Sequence, residues 1–428
     1  MNAGQLWDGR TLSAEAYTDP TVFQREMGVI FGRGWVYVGH DSEVSQPGMF
    51  TRRRIGTTPV VLVRGSDHQV RVLVNRCSHR GALVCRSERG AANVLRCAYH
   101  GWTYRNDGSL AAIPLPEAYE EGNERFAGLP SLPCEVHQGF VFAALTEPAE
   151  SLSTHLGAAA GYLTAFATHI PGSSLSVTST PHRVVGDFNW KLQVENGVDG
   201  YHATFTHKSY FDIVKSHVTG PIRRSIKEDG VSTARALGNG HTVLDYADAG
   251  RDALVNRLQT LEGAERLLVE GNLPDDEDVA ALLKSVPGPG FNLSVFPNLQ
   301  VIGIHIRRIH PVQVSRTEVE LRPTLGAQSP DDVNALRLRY HEYFYGPAAF
   351  GQPDDLEMFQ RVAAGVGDGH AARIDLTRGL HRERHDSEGV RIGEMSDEVA
   401  QRATYDRWTQ LMTAGASAAF PTTDDGAP

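Results

Sequence analysis

A chain of 428 residues, 41% hydrophobic and 21% charged, is long enough for two or three folding units and excludes small cross-linked, fibrous and disordered classes. A formal net charge of −10 with no basic stripe argues against a nucleic acid partner. The first ten residues lack a basic start and apolar core, residues 156–170 are too short and polar to span a bilayer, and four cysteines make no disulfide framework. A cytoplasmic protein with no membrane partner is therefore expected.

From about residue 50 to residue 145 the chain is written in short strands. Val60, Val61, Leu62 and Val63 precede the turn Arg64-Gly65-Ser66-Asp67, and a second apolar run covers residues 70–74, which predicts a hairpin. The same grammar recurs at residues 102–105 before Asn106-Asp107-Gly108-Ser109, and at residues 140–145 after Gly139. A small all-β unit is the economical reading.

Within it, Cys77-Ser78-His79-Arg80-Gly81 and Cys97-Ala98-Tyr99-His100-Gly101-Trp102 each follow a strand, so each loop offers one thiolate and one imidazole. A 2Fe-2S cluster with two Cys on one iron and two His on the other needs this donor set. Gly81 and Gly101 let the backbone approach such a cluster closely. A Cys2His2 zinc site would use the same atoms, although zinc fingers pair Cys with Cys and His with His. Cys85 and Cys134 read as core thiols.

Beyond residue 150 helices and strands mix. Leu254, Leu258 and Leu261 have helical spacing, and a second helix opens at Pro274-Asp275-Asp276-Glu277. Residues 299–309 read as one strand, 317–322 as its neighbour, and 336–345 as a helix that stops before Gly346-Pro347; residues 421–428 read as a tail. The layout is a β unit set into an α+β domain.

Residues 189–202, an aromatic-rich helical stretch ending in His202, are followed by His207. On a regular helix these two imidazoles would point about 140° apart, so they share a metal only if the helix ends or distorts between them. Otherwise they are surface or capping histidines. A third ligand would be a carboxylate, since two His and one carboxylate leave positions open on Fe(II). Pro353-Asp354-Asp355-Leu356-Glu357 supplies candidates, and acids behind a helix-starting proline equally suit a helix N-terminus with no metal.

C-x-H followed by C-x-x-H-G-W resembles the Rieske cluster motif. N-W-K-x-x-x-E-N-x-x-D-x-Y-H-x4-H downstream of it resembles the large (α) subunit of the Rieske non-haem iron aromatic ring-hydroxylating oxygenases over nearly the whole chain. The resemblance implies a small all-β Rieske domain, residues 41–150, inserted in a larger α+β catalytic domain with a central antiparallel sheet covered by helices. Residues 1–40 and 151–428 supply that larger domain. It implies a 2Fe-2S cluster on Cys77, His79, Cys97 and His100, and mononuclear Fe(II) on His202, His207 and Asp355. Asp199 would link the cluster of one subunit to the iron of the next, in a head-to-tail trimer with or without a small β subunit. Electrons would come from NAD(P)H through a separate reductase or ferredoxin, and the substrates would be dioxygen and an arene.

The sequences that look closest act on aromatic carboxylates: benzoate, anthranilate, salicylate, cumate and terephthalate. A carboxylate in an apolar pocket calls for an arginine. Strand alternation sends Arg307 and Arg308 to opposite faces, with Arg307 sharing its face with Val301, Gly303 and His305. Arg307 is the candidate anchor, and surface or subunit contacts are the alternative for both arginines. A monooxygenase such as a demethylase, or a Rieske electron carrier, would be the other readings of the chain.

Overall fold

The computed structural model describes residues 3–119, 126–217, 232–246, 285–286, 288–349, 351–367 and 373–414. The helices expected around Leu254–Leu261 and from Pro274, and the tail at 421–428, lie outside the described residues. The chain forms two compact units, Phe31–Leu152 and a larger one built from Met1–Ile30 together with Ser153–Pro428.

In the smaller unit the strands Thr58–Arg64 and Val70–Val74 pair antiparallel in the expected hairpin, with Arg64 opposite Val70. Met49–Ile55 and Arg89–Ala91 extend this sheet to four strands. Two three-stranded antiparallel sheets complete the described part, one carrying Thr103–Arg105 and the other Phe140–Ala143. Val61, Val63, Leu73, Leu95, Trp102 and Tyr104 form one core, and Cys77, Cys85 and Cys97 are buried in it. The thiols of both loops therefore start from rigid, dry ground.

The larger unit is organised on an antiparallel sheet that has nine strands among the described residues. In spatial order they are His182–Gly186, Arg316–Pro323, His305–Gln313, Leu299–Ile302, Phe291–Val295, His241–Asp245, Thr233–Gly238, Arg391–Glu394 and Arg384–His385. Helix Val399–Ala414 packs on the strands at 233–238 and 241–245, helix Trp190–Asn196 on the strand at 305–313, and helix Asp331–Tyr345 on the strand at 316–323.

The stretch 299–309 is two strands rather than one. Gly303 has φ 56° and Ile302 pairs with His305, so the chain reverses in a two-residue turn with glycine at its first central position. The facing residues change accordingly. Arg307 lies opposite Gln300, while Val301 lies opposite Ile306 on the other face. Of the neighbours expected for Arg307, only His305, two residues back on its own strand, stays on its face.

One buried junction ties the ends of this unit together. Glu26, on helix Pro20–Val29, accepts hydrogen bonds from Lys191 Nζ at 2.6 Å, Trp190 Nε1 at 2.8 Å and Trp408 Nε1 at 2.8 Å. All four side chains are buried, so the lysine and glutamate need one another.

Candidate metal centres

The two Cys-His loops are built alike. Cys77 N donates to Ala82 O (2.8 Å) and Gly81 N to Cys77 O (2.9 Å); Cys97 N donates to Trp102 O (2.8 Å) and Gly101 N to Cys97 O (3.0 Å). Gly81 and Gly101 have φ of 74° and 76°. Only glycine adopts that backbone freely, and at Gly81 this is the whole requirement, since an added Cβ would meet nothing closer than 3.9 Å.

The imidazoles of His79 and His100 lie with ring centroids 4.6 Å apart, and His79 stacks on Trp102 at 4.8 Å. Both Nδ1 atoms are buried without a hydrogen-bond partner, as atoms awaiting coordination would be. The thiols of Cys77 and Cys97 are buried, and Tyr104 Oη sits 3.1 Å from Cys77 Sγ. Among the described residues, only two groups of three or more donors converge within 4.8 Å, and these four residues are neither. One thiolate and one imidazole from each of two matching loops is the donor set that a 2Fe-2S cluster with two Cys on one iron and two His on the other needs. Cys85 and Cys134 have thiols pushed up to about 12 by burial, which leaves them unreactive.

In the larger unit, Asn189 caps helix Trp190–Asn196 by accepting from Lys191 N at 3.1 Å, and the helix stops at Gly197. Gly200 must be glycine for a different reason: a Cβ there would lie 2.2 Å from Met395 O. His202 then opens a one-turn helix, Ala203–Thr206, and His207 closes it with φ −96° and ψ 30° before the next helix, Lys208–His217. That break lets both imidazoles turn to one point.

Asp355 meets them there. It sits in the first turn of helix Gln352–Val366, behind Pro353, and is 3% exposed. Its Oδ1 lies 3.4 Å from His202 Nε2 and 3.3 Å from His207 Nε2. The outer nitrogens face carboxylates too, His202 Nδ1 at 3.6 Å from Asp199 Oδ2 and His207 Nδ1 at 3.6 Å from Asp354 Oδ2. Carboxylates placed behind ligand imidazoles fix ring orientation.

Asn196, which lies inside the N-W-K-x-x-x-E-N-x-x-D-x-Y-H motif but is not among the ligands expected from it, also enters. Its Nδ2 is 3.1 Å from Asp355 Oδ1 and 3.2 Å from His202 Nε2. Its spacing from Asp199 along the chain carries no usable signal.

Burial opposes a charged His202, yet Asp199 and Asp355 push it up to about 10. Burial likewise opposes a charged Asp355, yet His202 and His207 hold it well below the usual carboxylate range. Two imidazoles and one carboxylate within 4.8 Å suit Fe(II), with positions left open. If His202 is an iron ligand, iron-depleted protein is expected to bind Fe(II) more tightly as pH rises toward about 10, because the proton that Asp199 and Asp355 hold on His202 must leave when the ion binds. Proton release during anaerobic Fe(II) titration checks this, and an affinity independent of pH would show that His202 is neutral beforehand.

Arg307 is 2% exposed and so makes no surface contact; its Nε donates to His305 Nε2 at 2.9 Å and its Cζ lies 5.2 Å from the Tyr345 ring centre. Arg308, on the opposite face, is paired with Glu320 at 3.0 Å.

Comparison with known proteins agrees with this layout. Residues 34–133 match the Rieske [2Fe-2S] domain family, and residues 174–413 match the ring hydroxylating alpha subunit (catalytic domain) family. The chain is 30% identical over 437 aligned residues to the 2-halobenzoate 1,2-dioxygenase large subunit of Burkholderia cepacia, covering 94% of this chain and 90% of that one. It is 28% identical to the anthranilate 1,2-dioxygenase large subunit of Acinetobacter baylyi, covering 87% and 80%. Among solved structures, naphthalene 1,2-dioxygenase from Rhodococcus sp. superposes with a TM-score of 0.76 at 26% identity, covering 94% of each chain. With more than half its length matched by the catalytic family and a Rieske domain ahead of it, this chain belongs to the alpha subunits of the ring-hydroxylating oxygenases.

Proposed function

We propose that the protein is the terminal oxygenase component that hydroxylates an aromatic acid, with cis-dihydroxylation as the reaction. The observation that carries this reading is the meeting of His202, His207 and Asp355 at 3.3–3.4 Å in a chain that also holds two Cys-His loops. An electron carrier would have no task for those three residues.

Cys77, His79, Cys97 and His100 would hold the Rieske cluster, within a domain we take as residues 41–150, and His202, His207 and Asp355 would hold the iron. Bound there, the two centres supply electron storage and dioxygen activation. The protein's own share is orientation. Asp199 and Asp354 aim the two imidazoles, and Asn196 holds the carboxylate of Asp355 in place.

We further propose a head-to-tail trimer in which Asp199 meets His100 of the next subunit, with a reductase or ferredoxin passing electrons from NAD(P)H. In support, Asp199 and His100 are each partly exposed in the single chain, and Tyr99 beside His100 is 61% exposed. No described helix is long and apolar enough to cross a membrane. Cys85 and Cys134, the two cysteines outside the proposed cluster site, form no disulfide, which suits a reducing cytoplasm.

The substrate class rests on the 2-halobenzoate and anthranilate relatives and on Arg307 as a buried cation. The test is product analysis with a panel of benzoates, dioxygen, NAD(P)H and a supplied reductase. A cis-dihydrodiol or its rearomatised catechol is expected. A single hydroxyl inserted, or a methyl group lost as formaldehyde, would replace the dioxygenase reading with a monooxygenase.

A further inference from the structure

Strand His305–Gln313 and helix Asp331–Tyr345 carry a cluster of buried polar groups that the metal centre does not use. Arg307 donates from Nε to His305 Nε2, while its Nη1 is buried without a partner. A guanidinium only donates, so His305 Nε2 must accept, and the imidazole carries its hydrogen on Nδ1. That Nδ1 is also buried and unpartnered. Unlike Arg308, Arg307 forms no ion pair with a carboxylate among the described residues.

His341 is fully buried, and neither of its ring nitrogens has a hydrogen-bond partner, although one of them lies within 4.8 Å of a nitrogen of His182 and of the Glu342 carboxylate. Burial, then the nearby His182 and Arg307, push it down to about 3, so it offers one N–H donor and one bare acceptor. Leaving such groups empty in a dry interior is unfavourable.

The cluster adjoins the metal centre through an unbroken series of ring contacts. His207 meets Phe344 at 5.0 Å, Phe344 meets Tyr345 at 4.7 Å, Tyr345 meets His305 at 4.2 Å, and His305 meets His341 at 4.9 Å.

We infer that Arg307, His305 and His341 form the polar wall of the substrate site, and that they read an aromatic carboxylate carrying a ring hydroxyl or amino group beside it. The inference rests on the oxygenase reading and narrows it. Arg307 Nη1 and His305 Nδ1 can only donate, which a carboxylate satisfies. The bare nitrogen of His341 can only accept, and neither a carboxylate nor a ring halogen or methyl donates to it. A hydroxyl or amino group does. The cluster therefore discriminates among the acids that the relatives' names span.

The test is anaerobic calorimetric binding of benzoate, 2-aminobenzoate, 2-hydroxybenzoate and benzamide to the oxidised holoenzyme. Wild type should bind the amino and hydroxy acids about tenfold tighter than benzoate, and benzoate about tenfold tighter than benzamide. Arg307→Gln should bring acid and amide within about threefold. His341→Phe, or His341→Leu if the first does not fold, should erase the preference for amino and hydroxy acids and keep the preference for acid over amide. Iron content and cluster spectrum verify folding in each variant. Equal affinities in wild type, or unchanged ratios in the variants, would overturn the inference. If no acid binds but a neutral arene is converted to a diol, the inference falls and the oxygenase reading stands. A separate turnover assay with dioxygen, NAD(P)H and a supplied reductase tests the oxygenase reading: acids bound anaerobically with the expected ratios but no dioxygen consumed in that assay would overturn the oxygenase reading and leave the acid-binding cluster in place.

Discussion

Asp355→Ala is expected to remove the mononuclear iron and abolish product formation, lowering iron from about three per chain to about two. Asp355 Oδ1 is the carboxylate oxygen that faces both Nε2 atoms, and Asn196 Nδ2 points at the same oxygen. Alanine leaves two imidazoles and an amide donor facing an empty centre. The Rieske spectrum should persist, because its candidate ligands sit on the loops of the other unit. Asp354→Ala is the companion variant: lying 3.6 Å from the outer nitrogen of His207, it should weaken iron binding about tenfold without eliminating it. Iron analysis on anaerobically purified protein decides, and full iron occupancy in Asp355→Ala would assign the ligand elsewhere.

For Asp199→Asn the expected result is different in kind: both centres filled, with turnover down about 100-fold. Asp199 Oδ1 accepts from Tyr201 N at 2.6 Å and His202 N at 3.2 Å, and Oδ2 faces His202 Nδ1. Asparagine keeps the outline and removes the charge that pulls on the imidazole. Single-turnover oxidation of the reduced cluster, with substrate and dioxygen present, isolates the step. Cluster oxidation at the wild-type rate would show that electrons do not need Asp199, and loss of iron would make it a structural support.

What is readable in the sequence is local. Cys77 with His79 and Cys97 with His100 each lie within one loop, so spacing alone exposes the donor set. The mixed order, one Cys and one His in each loop, already favours a cluster over a zinc finger, which pairs Cys with Cys and His with His. His202 and His207 are ambiguous: their convergence needs the break at His207, which is a tertiary fact. Asp355, Asn196 and His341 come from three separate elements, and no periodicity links them. The turn at Gly303 is hidden because Val301, Ile302, Ile304 and Ile306 read as one apolar run. Missing it misassigns the residues across from Arg307 while leaving its opposition to Arg308 intact.

The junction at Glu26 bears on how a ribosome can deliver this protein. Glu26 bonds to Trp408, 382 residues later, and the whole of Phe31–Leu152 is translated between Glu26 and its nearer partners Trp190 and Lys191. Contacts of such long sequence separation form late and slowly. The smaller unit can fold as it emerges, whereas Pro20–Val29 must wait with an apolar face and a carboxylate whose partners are not yet made. A nascent chain halted before residue 399 should therefore hold a folded cluster domain on an unfinished larger unit, and that intermediate is where a chaperone would have most to shield.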